Sequence, residues 1–277
     1  MMRTSQTVFH ITHWKAGSQW VAEILKYSAP ERFVPWEVAK PRAMQVYGTP
    51  SFYVKPLIRG KIYGTVYLTR DRFNEIVSGI FWRTREGTFI YPRRIFNNWF
   101  NYRIMRSPCR CFAVIRDLRD TLVSLYFSIK NSHRIANDRL ARIRHRLDGL
   151  SQEDGLLCLL DEELPSSAAI QSSWIHAPGV LLLRYEDILG NELAFFENLI
   201  EYCEINVSRE RLHDIVGYNI FEVAAGRKRG EEDVNAHLRK GIAGDWHNYF
   251  TERLKIEFKR QYGKLLVETS YEKDLNW

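Results

Sequence analysis

Three short apolar runs, each followed at once by an amphipathic helical pattern, set the frame for this chain. Val8, Phe9, His10 and Ile11 lead to Trp20, Val21, Ile24 and Leu25, which share one helix face. Residues 111–115 precede Leu122, Leu125, Tyr126 and Ile129 in the same way, and Val180, Leu181, Leu182 and Leu183 precede Leu193, Phe196, Leu199, Ile200 and Cys203. Strand, turn and helix repeated like this build a parallel sheet with right-handed crossovers, and such a sheet takes its ligands beyond the carboxyl ends of its strands. The residues just after each strand are therefore the ones to read for chemistry. They are His13-Trp14-Lys15-Ala16-Gly17-Ser18-Gln19-Trp20 after the first run, Arg116 after the second, and Arg184-Tyr185-Glu186-Asp187 after the third.

Lys15 to Ser18 combine a cation, a small residue, a glycine and a hydroxyl between strand and helix. Such a turn can converge its backbone N–H groups on a phosphate, and the helix N-terminus adds unpaired donors and the positive end of its dipole. Arg116 and Ser124 lie eight residues apart. If the intervening loop folds back, a guanidinium and a hydroxyl can hold one anion; equally, Arg116 can pair with Asp117 or Asp120, and the spacing leaves both open. Near the C-terminus, Arg239-Lys240-Gly241 offers two cations and a glycine N–H that an anion can approach closely, though in isolation it reads as a solvated basic turn.

The remaining stretches carry less. Residues 61–68 form a further strand-like run, followed by a helical pattern over 70–76. Residues 27–56 read as a loop, because Pro30, Pro35, Pro41, Pro50 and Pro56 break any long helix. The segment 83–105 interleaves arginines with aromatics, a mix that can bind nucleic acid but that is read here as helices whose rings face the core. The run Arg134, Arg139, Arg142, Arg144, His145 and Arg146 reads as a solvated helix face, and residues 226–235 as a mobile polar stretch. Thr251 opens a last helix with Leu254, Phe258, Tyr262 and Leu265 on one face.

The chain has 277 residues, and no linker or repeat divides it, so residues 1–277 are expected to form one domain. The first strand starts near Val8, which leaves no room for a secretory signal, and no apolar run reaches bilayer length, so a cytoplasmic location is expected. Cys109, Cys111, Cys158 and Cys203 show neither CxxC nor Cys/His metal spacing, so free thiols are expected and no metal. The excess of 40 Lys+Arg over 33 Asp+Glu, a formal charge of +7, favours an anionic ligand.

Taken together, Lys15-Ala16-Gly17-Ser18-Gln19-Trp20, Arg116 with Ser124, Arg184-Tyr185-Glu186-Asp187 and Arg239-Lys240-Gly241-Ile242-Ala243-Gly244-Asp245-Trp246 resemble the sulfotransferases that use 3′-phosphoadenylyl sulfate (PAPS). Order and spacing match from residue 12 to about residue 251, and Arg-Lys-Gly-x-x-Gly-Asp-Trp is the most specific of the four motifs. The resemblance implies an α/β fold: a single domain with a central parallel β-sheet flanked by helices, related to the P-loop kinases. It implies metal-independent, in-line transfer of a sulfuryl group from PAPS to a hydroxyl or amine, leaving adenosine 3′,5′-bisphosphate (PAP). It also implies roles for single residues. Lys15, Ala16, Gly17, Ser18 and Gln19 would cradle the 5′-phosphosulfate, with Lys15 at the bridging region and Ser18 on a phosphate oxygen. Arg116, Ser124, Arg239, Lys240 and the N–H of Gly241 would hold the 3′-phosphate. Trp20 and Phe221 would sandwich the adenine, and Tyr185 would bond its edge.

The acceptor is expected to be a small molecule, glycan or lipid rather than nucleic acid, contacted by residues 27–69 and by the segment after Gly87. For the general base this chain departs from the cytosolic branch, whose Lys-Thr-His-Leu-Pro segment supplies a histidine. Gly64-Thr65-Val66-Tyr67-Leu68 stands here instead, with Val66 at the histidine's place. Sulfotransferases acting on glycosaminoglycans use a glutamate in a Glu-Val context, and Glu37-Val38 lies 22 residues beyond Lys15. Glu37 is accordingly taken as the base, with His13 second and His133 and Asp71 behind it. Two rival readings exist. A P-loop kinase or NTPase needs Gly-x-x-x-x-Gly-Lys-Ser/Thr, whereas here the lysine precedes the glycine. A non-catalytic nucleotide-binding protein would explain the charge but not the paired cation clusters.

Overall fold

The computed structural model describes residues 5–35, 42–46, 49–53, 57–77, 109–135 and 137–277. Its strands are β1 (Thr7–Thr12), β2 (Phe33–Pro35), β3 (Arg42–Val46), β4 (Thr49–Tyr53), β5 (Ile62–Val66), β6 (Cys109–Ile115) and β7 (Val180–Arg184). Among the described residues five of them form one sheet in the order β2-β5-β1-β6-β7, and β3 and β4 pair apart from it. Every neighbouring pair in the five-stranded sheet is parallel, and β3 and β4 are antiparallel. The expected α/β architecture with a central parallel sheet is therefore what the chain adopts.

β1 is the middle strand and is buried along its whole length. Its alternation explains why an almost wholly apolar run suits that place: Val8 faces one core and Phe9 and Ile11 face the other. The first core joins Val8, Phe112 and Val114 to Val21, Ile24 and Leu25 of helix α1 (Ser18–Ser28). The second joins Phe9, Ile11, Tyr63 and Val66 to Phe73 of α2 (Arg70–Val77) and to Ile170 and Trp174 farther along. After β6 come α3 (Leu118–Phe127), a π-helical turn (Ser128–Ser132), α4 (Asp138–Asp148), α5 (Gln152–Glu162) and α6 (Leu164–Trp174). Leu122, Tyr126, Leu140, Leu156 and Leu164 from these helices make a third core with Leu254 and Phe258. Short α7 (Tyr185–Ile188) follows β7, then α8 (Glu192–Tyr202), α9 (Arg209–Asn219), α10 (Phe221–Ala225), a 3-10 turn (Asp245–Asn248) and α11 (Glu252–Glu268).

Two expectations need correction. Residues 27–56 are not all loop, since β2, β3 and β4 lie within them. Their prolines exclude a helix but not an edge strand: Pro35 closes β2 at the rim of the sheet, and Pro50 sits in the two-stranded pair. Residues 226–235 lack regular structure but are held in place. Arg229 pairs with Glu192 and Glu222, the Gly230 N–H donates to the Lys240 carbonyl at 2.9 Å, and Asn131 Nδ2 donates to the Val234 carbonyl at 3.1 Å. Of the basic run, Arg139 and Arg146 lie on α4 paired to Glu163 and Glu162, whereas Arg134 precedes the helix and Arg144 is half-buried, its Nε donating to the Ile129 carbonyl at 2.6 Å. The four cysteines are free, Cys111 and Cys203 being buried. Glu37 and the segment 83–105 lie outside the described residues.

Candidate active site

The site grows from the turn between β1 and α1. Lys15 (φ 68°) and Gly17 (φ 71°) both take left-handed backbone conformations. At Gly17 the need for glycine is double, because a Cβ there would also stand 2.7 Å from a ring carbon of Tyr185. At Lys15 the conformation is strained for a residue with a side chain, and it is held by the guanidinium of Arg116, which donates to the Lys15 carbonyl at 3.1 Å. Gly17 caps α1 without a side chain and the first turn carries no acidic residue, so the helix's leading N–H groups open onto the loop. Ala16 is buried, Gln19 exposed, and Ser18 buried with its hydroxyl 2.8 Å from that of Tyr67.

His13 is a fixture of this turn. Its Nδ1–H donates to the Trp14 carbonyl (2.9 Å), while Nε2 accepts the Arg116 backbone N–H (3.1 Å) and lies 2.8 Å from the Gln171 amide nitrogen. Burial pushes its pKa down to about 4. A neutral imidazole whose acceptor nitrogen is already occupied cannot take a proton from an acceptor, so His13 is a packing residue, tying the end of β1 to the end of β6. His133 is half-buried beside Trp14 (ring centroids 6.2 Å apart), and its pKa is lowered by burial and then by Lys15 and Arg144. Asp71 is exposed at the start of α2.

Cations gather around the loop. Burial, then Arg116 and Arg239, pull the Lys15 pKa down to about 8. Arg116 reaches four segments at once: its Nη1 donates to the Lys15 carbonyl, its Nη2 donates to the Ile242 carbonyl at 3.3 Å and lies 3.7 Å from Asp120, and its guanidinium centre stands 4.5 Å from the centroid of the Tyr185 ring. Of the two alternatives for Arg116, the pairing with an aspartate is the one seen, and the partner is Asp120. Asp117 is engaged elsewhere, capping α3 and pairing with Arg119 at 2.7 Å. Ser124 is half-buried on the same helix α3.

The C-terminal motif closes over this edge. Asp120 accepts the Gly244 N–H (2.7 Å) and the Trp246 N–H (2.9 Å), and burial raises its pKa against the pull of Arg116. Arg239 pairs with Glu232 and Asp245 and lies over the Phe127 ring at 4.5 Å, while Lys240 Nζ bonds Asp245 at 2.7 Å. Gly241 (φ 67°) is pressed on Phe221, where a Cβ would meet the ring at 2.5 Å. Tyr185 is sandwiched between Gly17 and Arg116, and Trp20 stands edge-on to Phe196 at 5.7 Å with its indole N–H buried and unpartnered.

The structure thus brings Lys15, Gly17, Ser18, Arg116, Tyr185 and the 239–246 segment to one edge. Asp120 is legible in the sequence as a partner of Arg116, but not as the acceptor of the Gly244 and Trp246 N–H groups, and Asp245 lies in the C-terminal motif without its cation partners being evident. Glu232, Gln171 and Tyr67 give no signal as site residues, because their partners are distant in sequence.

A parallel sheet whose carboxyl edge carries a glycine turn, an open helix N-terminus and clustered cations belongs to the anion-binding, nucleotide-handling class of α/β proteins. Within that class the chain belongs to the sulfotransferase family, whose model, described as a sulfotransferase domain, matches residues 5–270. It is 21% identical over 278 residues to sulfotransferase 1 family member D1 of Rattus norvegicus, covering 94% of this chain and 83% of the relative. It is also 21% identical over 282 residues to sulfotransferase 2A1 of Homo sapiens, covering 95% and 85%. Among solved structures, mouse sulfotransferase SULT7A1 complexed with PAP shares the fold, with a TM-score of 0.53 at 14% identity, over 96% of this chain and 88% of that one. Membership of this family sets aside the kinase and non-catalytic readings: the chain is a sulfotransferase. Among the described residues no helix is long and apolar enough to cross a membrane.

Proposed function

We propose that this chain, acting as one domain, moves the sulfuryl group of PAPS to a hydroxyl or amine of a small-molecule, glycan or lipid acceptor and releases PAP. One observation carries the donor assignment. Burial and the positive fields of Arg116 and Arg239 pull the Lys15 pKa down to about 8, and among the described residues no carboxylate pairs with it. A desolvated positive cluster of this kind is unfavourable by itself and becomes favourable when a polyanion sits in it. That the mouse neighbour is described with PAP supports the same reading.

In this account Lys15, Ala16, Gly17, Ser18 and Gln19 hold the 5′ end of the nucleotide. Arg116, Ser124, Arg239, Lys240 and the N–H of Gly241 hold the 3′-phosphate, with Asp120 and Asp245 as the carboxylates that keep the cations oriented. Trp20, Phe221 and Tyr185 supply the adenine contacts. PAPS when bound supplies an activated sulfuryl group. The chain's own part is to align donor and acceptor and to meet, through Lys15, the charge that develops on the leaving oxygen. Glu37 is the proposed general base, a carboxylate being competent once partly desolvated. A cytoplasmic setting suits the exposed thiol of Cys109.

The test is a panel of hydroxylated and amine acceptors incubated with radiolabelled PAPS. Label on at least one acceptor, with matching release of PAP, is expected. A chain that binds no PAP and labels none of them contradicts the proposal.

A further inference from the structure

A second strained residue lies across from the loop, in β5. Thr65, which is β-branched, sits at φ 59°, a left-handed conformation rare for its type. The cause is an irregularity in pairing: Phe9 is opposite Tyr63 and Ile11 is opposite Val66, so three residues of β5 are spent on two of β1. This is a bulge of one residue, a device that re-aims side chains next to functional sites. Without it Thr65 would oppose Ile11, and Val66 would stand where Tyr67 now stands. With it, Val66 returns to the core beside Phe9, Ile11 and Tyr63, and Tyr67 emerges at the carboxyl edge of the sheet.

The surroundings hold this turn firmly. The Thr65 N–H donates to His10 Nδ1 at 3.4 Å, and burial keeps that imidazole neutral with its pKa at about 3. The Thr65 hydroxyl donates to the Gly64 carbonyl at 2.7 Å. Beyond Tyr67, the Trp174 indole N–H donates to the Leu68 carbonyl at 2.8 Å, and the Arg70 N–H donates to the Ser173 hydroxyl at 3.0 Å. This fixed backbone brings the Tyr67 hydroxyl to 2.8 Å from Ser18 Oγ.

We infer that Tyr67 is a positioning residue for the sulfuryl donor, and that the bulge exists to place it. In this reading the phenol, the more acidic of the two hydroxyls, donates to Ser18 Oγ. Ser18 stands at the first residue of α1, beside Gly17, and its own proton is then left to point into the loop. Two hydroxyls in series polarise each other, so the bond Ser18 gives to a phosphate oxygen is strengthened and its direction fixed. This rests on the reading that the loop takes the 5′ end of the nucleotide.

Calorimetric titration of PAP into the wild-type protein, Tyr67→Phe, Ser18→Ala and the double variant tests it. Phenylalanine keeps the ring beside Trp14 (centroids 6.3 Å apart), so the variant removes the hydroxyl and leaves the ring packing in place. Tyr67→Phe is expected to weaken PAP binding about fivefold, to raise the KM for PAPS with kcat nearly unchanged, and to have no further effect in the Ser18→Ala background. Losses that multiply in the double variant, or a fall in kcat with PAP affinity intact, overturn the inference. Wild-type protein that binds no PAP instead overturns the donor site on which it rests, so the two failures are distinct.

Discussion

Lys15 is the residue to which the proposed function assigns the charge on the leaving oxygen. Its replacement by alanine is expected to lower sulfuryl transfer by about 10²–10³-fold, the usual effect of losing one donor aimed at developing charge. Thermal stability should hold or rise, since Lys15 is opposed by Arg116 and Arg239. Turnover and melting temperature measured on the same preparation check both parts, and a drop in melting temperature would show that Lys15 is structural. The charge itself gives a pH signature. With a pKa of about 8 in the free protein, Lys15 is charged below that pH and neutral above it. A bound polyanion favours the charged form, so PAP affinity should be steady up to about pH 7.5 and then weaken up to tenfold per unit above pH 8. Affinity that is flat to pH 9.5 would contradict the placement of Lys15 against the anion. Glu37→Gln should lower turnover while leaving PAP affinity intact, and full activity across the pH range removes Glu37 from the role of base. Lys15 and Arg116 were legible in the sequence because a strand and a helix bracket each of them. Their partners were not: that Asp120 accepts from Gly244 and Trp246, or that Glu232 meets Arg239, depends on contacts no local spacing encodes.

At the level of elements, α3 is the hinge between the two halves of the site. Its first turn carries Asp120, whose two backbone bonds hold the 241–246 segment against Arg116. Asp120→Asn replaces one accepting oxygen with a donor that faces an N–H, and should cost about 2–4 kcal/mol of stability. Chemical denaturation reads this directly, and wild-type stability in the variant would mean that the C-terminal motif is held by other contacts. The strands and helices after residues 8, 111 and 180 were legible because apolar runs and 3.6-residue periodicity are local signals. The bulge in β5 was not. Residues 61–68 read as an uninterrupted strand, whereas the extra residue returns Val66 to the core and sets the Tyr67 hydroxyl beside Ser18. The held state of 226–235 is not legible for a related reason, because a polar composition says nothing about the ion pair from Arg229 to Glu192.

For the whole molecule, strand order does the positioning. β1, β6 and β7 are adjacent, so the Lys15 loop, Arg116 and Tyr185 leave the sheet side by side at one edge, and the C-terminal segment has only to lie across them. The parallel sheet was legible from the repeated strand–helix units; the β3–β4 pair was not, because prolines masked it. A chain of net charge +7 attracts polyanions in general, so binding of some nucleotide proves little. The central claim is narrower: the site takes a nucleotide with phosphate at both ends. Calorimetric titration of PAP beside adenosine 5′-monophosphate, at one ionic strength and near neutral pH, tests it most directly. PAP is expected to bind, and the monophosphate, lacking the 3′-phosphate that Arg116, Ser124 and Arg239 would hold, to bind at least about tenfold more weakly. Equal affinities, or no binding of PAP, would contradict it.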